Sequence, residues 1–176
     1  PLVPSENSRT PNIAINEDGS NIYLGKGSYL AVLDEQREQI NAPAFVGDTP
    51  LEVTFYPIRD LALIRNSAEA AYAPITMWHT AENNGVYTFG VENGDTYGDG
   101  VFSPDGNGVI LAGKSTENTD IIARFDISDP TAPEPVYRTD TARQEAAEGL
   151  TDIQHVAVSP DGTRLVTVGT YEDRLE

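Results

Sequence analysis

The side chains best suited to moving a proton near neutral pH are two histidines, His79 and His155. His79 follows Trp78 at the end of one apolar run, and His155 immediately precedes another, Val156-Ala157-Val158. Either is a candidate metal ligand or general base. Neither has a second histidine close by in sequence, and no HxH or HExxH spacing occurs. A lone histidine is more often a structural hydrogen-bonding residue, and that alternative stands beside the catalytic one. The segment 93–100 is dense in oxygen ligands and glycine, which makes Asp95 and Asp99 candidate calcium ligands. It does not meet the EF-hand spacing, and a Gly/Asp turn explains the same residues. No cofactor is expected beyond calcium at those two aspartates. Glu145, Glu148 and Asp152 form an acidic run that reads as a solvated face. Gly25-Lys26-Gly27 lacks the spacing of a phosphate loop, and no GxSxG elbow is present. The absence of cysteine excludes disulfides, thiolate metal sites, cysteine nucleophiles and covalently attached haem.

Composition narrows the partners. The 176 residues carry 28 acidic and 11 basic side chains, a net charge of −17. Such a surface repels phosphate backbones and anionic headgroups, so neither nucleic-acid binding nor membrane insertion is expected. No apolar run approaches the ~20 residues of a membrane helix. Lys26 and Lys114 are the only lysines; the other basic residues are arginines. Excess carboxylates with few lysines suit solubility at high salt, although an ordinary acidic secreted protein is the plainer reading of the same composition. Hydrophobic residues make up 39%, enough to build a core.

The elements that must position these groups are short strands in repeats. Val101-Phe102-Ser103-Pro104-Asp105-Gly106 and Val156-Ala157-Val158-Ser159-Pro160-Asp161-Gly162 match closely, and each runs into a second apolar stretch. Strand, tight turn, strand is a β-hairpin: Pro and Asp set the turn and Gly accepts a positive φ. A third copy spans 12–25. A degraded fourth runs from Glu52 to Ile64. Taking Ile15, Phe55, Phe102 and Val158 as equivalents, the spacings are 40, 47 and 56 residues. A period near 40 stretched by insertions is that of propeller blades. Third and fourth strands follow three of the hairpins, at 29–34 and 44–46, at 75–78 and 86–89, and at 121–127 with a start at 135. The expectation is an all-β chain, a single partial β-propeller domain of about three and a half four-stranded antiparallel blades. The blades fall near 12–47, 51–91, 99–138 and 153–176. A short helix, capped by Asp140 or Thr141 and ended by Gly149, is expected as an insertion over 140–149.

Residues 49–55, with the SPDG hairpins, resemble the YVTN-type and lactonase-like propeller repeats. Residues 125–133, Phe-Asp-Ile-Ser-Asp-Pro-Thr-Ala-Pro, resemble a segment of LVIVD repeats. These resemblances cover most of the chain and imply a propeller in an extracellular, periplasmic or cell-surface protein. The Gly-His and Trp-Asp signatures of WD40 repeats are absent. A closed propeller takes ~4 to 8 blades. The arc is therefore expected to be completed by another protein chain, by a missing segment or by a second copy of itself. The expected function is a non-catalytic scaffold or recognition module. The competing function is a fragment or subunit of a propeller enzyme, lactonase-like or dehydrogenase, with an active site at the channel mouth. Convergence of His79, Arg65 and His155 in one channel would favour the enzyme.

Overall fold

The structure is a computed structural model, and it describes residues 13–15, 19–26, 29–40, 44–45, 49–56, 60–67, 75–82, 84–90, 94–140 and 150–171. The first sheet comprises β1 (Ile13–Ile15), β2 (Asn21–Lys26), β3 (Tyr29–Asp34) and β4 (Ala44–Phe45). The second comprises β5 (Thr49–Tyr56), β6 (Leu61–Ser67), β7 (Ile75–His79) and β8 (Asn84–Thr88). The third comprises β9 (Thr96–Phe102), β10 (Gly108–Lys114), β11 (Asp120–Asp126) and β12 (Glu134–Asp140). A final hairpin pairs β13 (Leu150–Val158) with β14 (Leu165–Tyr171). Within every sheet the strands lie side by side in chain order, all antiparallel. Three four-stranded blades and a two-stranded half-blade are the three and a half units that the repeats imply. The inserted helix falls on 141–149, outside the described residues; Asp140, read as a cap, ends β12.

The second and third blades are apolar on both faces because each is packed on both sides, and their inner strands therefore read as continuous hydrophobic runs. Alternation along β6 sends Leu61 and Leu63 one way, Ala62 and Ile64 the other. Ala62, Ile64 and Trp78 pack against Tyr23, Leu30 and Val32 of the first blade. Leu61 and Leu63, with Ile75, Met77 and Phe89, pack against Tyr97, Phe102, Val109, Leu111 and Phe125 of the third. On the third blade's other face, Ile110, Ala112 and Ile122 meet Ile153 and Val156 of the half-blade. Phe125 stands at the centre of an aromatic group, 5.0 Å from the Phe89 ring and 6.2 Å from that of Tyr97.

The two SPDG turns fold alike. Gly106 and Gly162 have φ of 74° and 70°, and each donates its N–H back to the serine carbonyl that opens its turn. Each serine hydroxyl donates to the aspartate two residues on. That aspartate also accepts a backbone N–H, from Asn107 in one turn and from Thr163 in the other, both at 3.1 Å.

Candidate functional site

The innermost strand of the second, third and fourth blades carries a bulge at one place. Leu51 is the extra residue in β5 and Gly98 in β9, while in β13 Asp152, Ile153 and Gln154 stand opposite Gly169. A bulge bends its strand and leaves backbone groups out of the ladder. At β9 the two backbones approach so closely that a Cβ on Gly113 would lie 1.9 Å from the Thr96 carbonyl oxygen. The residue after each bulge is Glu52, Asp99 or His155, opposite Arg65, Ala112 and Val168 respectively. One register position thus bears a polar side chain in three successive blades.

These bulges are where blade meets blade. Arg65 of the second blade donates to the Gly98 carbonyl of the third at 2.7 Å. Asp99 of the third blade accepts the Val156 N–H of the half-blade at 2.8 Å. Asp120 accepts the Ile153 N–H at 3.1 Å while holding Lys114 Nζ at 2.9 Å. Lys114 and Asp120 are both buried, so each neutralises a charge that the interior would otherwise expel. Asp95, also buried, takes a bidentate grip from Arg138, at 2.8 Å from Nε and 3.0 Å from Nη2.

The structure brings two of the three sequence-selected polar residues to one place. Arg65 binds Gly98, and the Nδ1 of His155 lies 3.4 Å from Asp99 Oδ2 on the next residue. His79 is elsewhere: it pairs with Leu61 at the opposite end of β6 from Arg65, and its Nδ1 accepts the Glu82 N–H at 3.2 Å. The Asp99–His155 pair has the form of a carboxylate orienting an imidazole. However, the same Oδ2 already accepts the Val156 amide, and Oδ1 accepts that of Gly100. Asp95 and Asp99, read from sequence as calcium candidates, are directed at Arg138 and at the half-blade. Among the described residues no three His, Asp or Glu side chains cluster as metal ligands. Lys114, Asp120 and Arg138 escaped the sequence reading, since their partners are set by the fold.

A cleft of ≈360 Å³ opens between the third blade and the half-blade on the side of the SPDG turns. Asp105, Arg124, Asp161 and Arg164 contribute charge to its wall, and Tyr137 an aromatic ring. The charges are balanced, two of each sign. Arg124 Nη2 stands 3.6 Å from Asp105 Oδ2. The Ser159 hydroxyl, then the Thr163 amide and hydroxyl, hold the Asp161 carboxyl down to a pKa of about 2. Ser103 and the Asn107 amide lower Asp105 in the same way.

No protein-family model matches the chain, and no curated protein matches it. Solved structures do. A chain of hydrazine synthase from Kuenenia stuttgartiensis superposes with a TM-score of 0.69 at 18% identity, covering 93% of this chain and 45% of that one. A chain of the mitotic checkpoint complex gives 0.62 at 18% identity, covering 90% and 46%. A putative 6-phosphogluconolactonase from Bacteroides fragilis gives 0.62 at 14%, covering 93% and 49%. The chain spans about half the length of each. These neighbours are propeller-type folds, and at such identities the likeness is one of fold: the chain is a stretch of β-propeller.

Proposed function

We propose that the chain is a non-catalytic binding and scaffolding module, an arc of a larger propeller working outside the cytosol. One observation supports this: three charged groups at the blade junctions are committed to joining blade to blade. Asp99, Asp120 and Arg65 each bind backbone of the neighbouring blade. An active site at the same place would need those groups directed at a substrate instead. The likeness of residues 125–133 to LVIVD repeats and of the hairpins to YVTN repeats supports a surface or extracytoplasmic setting.

The competing enzyme reading rests on the orientation of His155 by Asp99. The two separate in a turnover assay with a panel of lactones and, separately, a dye-linked oxidation of alcohols and sugars. The expected outcome is no turnover above buffer. Turnover that disappears in His155→Ala while the fold is retained would establish the enzyme instead.

A further inference from the structure

Glycine follows asparagine at three places, Asn84-Gly85, Asn93-Gly94 and Asn107-Gly108. Such a pair carries a latent reaction. The glycine amide nitrogen attacks the asparagine Cγ, because no side chain on the glycine obstructs the approach. A five-membered imide closes and ammonia leaves. Water then opens the ring at either carbonyl. One opening gives aspartate; the other gives isoaspartate, in which the main chain runs through the former side chain. The reaction requires an asparagine side chain that is free to turn toward the next backbone nitrogen.

The fold separates these pairs. Asn93 lies outside the described residues. Asn84 belongs to β8, where it pairs with His79 and Gly85 pairs with Trp78, and its Nδ2 donates to Glu82 Oε2 at 3.4 Å. Asn107 stands exposed in the first SPDG turn, between β9 and β10. Its backbone is held: the N–H donates to Asp105 Oδ1 at 3.1 Å, and the carbonyl accepts the Ile127 N–H at 2.8 Å. Its side-chain amide has no hydrogen-bond partner among the described residues. The matching residue of the second turn, Thr163, ties its hydroxyl to Asp161 at 2.8 Å. Packing also demands glycine at 108, where a Cβ would lie 2.8 Å from Ser103 Oγ and 3.0 Å from Arg124 Nε. An untied asparagine is thus set beside a glycine that the fold requires. Asp105 and Asp161 precede glycines too, but turn hydrogen bonds keep both as carboxylates, which resist attack.

We infer that Asn107 is a site of spontaneous deamidation, through attack of the Gly108 nitrogen on its Cγ, and that the isoaspartate product loosens the turn between β9 and β10. Two consequences follow from the contacts of the turn. Either product places a new carboxylate beside Asp105 and Asp126, with Arg124 the cation among them. Isoaspartate also lengthens the main chain by one carbon between two anchored points. One anchor is the residue 107 N–H on Asp105; the other is the Gly108 carbonyl, which accepts the Ser103 N–H at 2.8 Å and the Ser103 hydroxyl at 3.1 Å. Both anchors cannot keep their geometry across the longer link. The same turn lines the cleft between the third blade and the half-blade, so the change alters the wall of that cleft.

The whole chain, aged at neutral and at mildly alkaline pH and then mapped by peptide mass, tests this. The expected result is conversion of amide to acid at residue 107, faster at the higher pH, with isoaspartate identified by enzymatic methyl transfer. Conversion there should run roughly tenfold faster than at Asn84, where attack first requires the β8 ladder to open locally. Asn107→Thr, which copies Thr163, should abolish the conversion and keep the fold. Asn107→Asp adds the charge without lengthening the chain, so aged wild type should melt below it. A synthetic peptide of residues 103–109 supplies the unconstrained rate. If that peptide converts while Asn107 of the folded chain does not, or if Asn84 converts first, the site is overturned. If a fully converted chain melts together with Asn107→Asp, the loosening by isoaspartate is overturned.

Discussion

Asp161 shows how one side chain in a repeated turn links stability to pH. Its carboxylate collects the Ser159 hydroxyl and the Thr163 amide and hydroxyl, which favour the charged form and lower its pKa from 3.8 to about 2. A group depressed by folding stabilises the native state fully above its unfolded pKa and loses that contribution as pH falls through the folded value. Asp161→Asn, a neutral acceptor of the same shape, should therefore melt below the wild type at neutral pH. The two melting temperatures should converge as pH falls from 3.8 to about 2, where the native carboxyl is itself protonated. A gap that stays constant across that window would remove Asp161 as a source of acid sensitivity. Asp105, Asp126 and Asp129 are lowered by equivalent local bonds, from Ser103, Ser128 and Thr131 respectively, so the variant keeps part of the wild type's acid loss.

At the scale of the element, β13 is held by its neighbour's carboxylates as well as by its ladder. Its bulge frees the Ile153 amide from β14, and Asp120 takes that amide while Asp99 takes that of Val156. Asp99→Ala should speed hydrogen exchange at Val156 by roughly ten- to a hundredfold, since a net hydrogen bond to a charged group is worth about 1.5–3 kcal/mol. Amides of β10 and β11 should be unmoved. Asp120→Asn keeps an acceptor for Ile153 but removes the carboxylate charge that Lys114 Nζ meets at 2.9 Å, at a cost of about 3–5 kcal/mol for breaking a buried pair. Equal exchange rates at Val156 and in β10 would show that the half-blade opens only with the whole arc. The strands themselves were legible in sequence, because alternation and the Ser-Pro-Asp-Gly turn are local and recur. The latches were not. Asp95 and Asp99 sit in an oxygen-rich stretch that reads as a cation loop, yet their partners Arg138 and Val156 lie 43 and 57 residues away. Nothing local marks the bulges either, although the polar residues Glu52, Asp99 and His155 keep the hairpin spacing and were its one trace.

Across the whole molecule the charge is unbalanced, −17 over 176 residues, while the latches between blades are partly or fully buried. These two populations respond oppositely to salt. Repulsion among exposed carboxylates is screened over a Debye length of about 10 Å at 0.1 M and about 3 Å at 1 M, whereas a pair as enclosed as Lys114–Asp120 is screened far less. Added salt should therefore relieve the destabilising term and leave the stabilising one largely intact. Relief of about 2 kcal/mol would raise the melting temperature of a chain this size by roughly 4–8 °C. The measurement is thermal unfolding in potassium chloride from 0.05 to 1 M, roughly the span over which screening becomes complete. A parallel series in a neutral osmolyte separates screening from general solvent exclusion. A melting temperature that rises with the salt and not with the osmolyte identifies self-repulsion as the term relieved. One that stays flat or falls would mean that exposed ion pairs stabilise this arc more than its excess charge destabilises it.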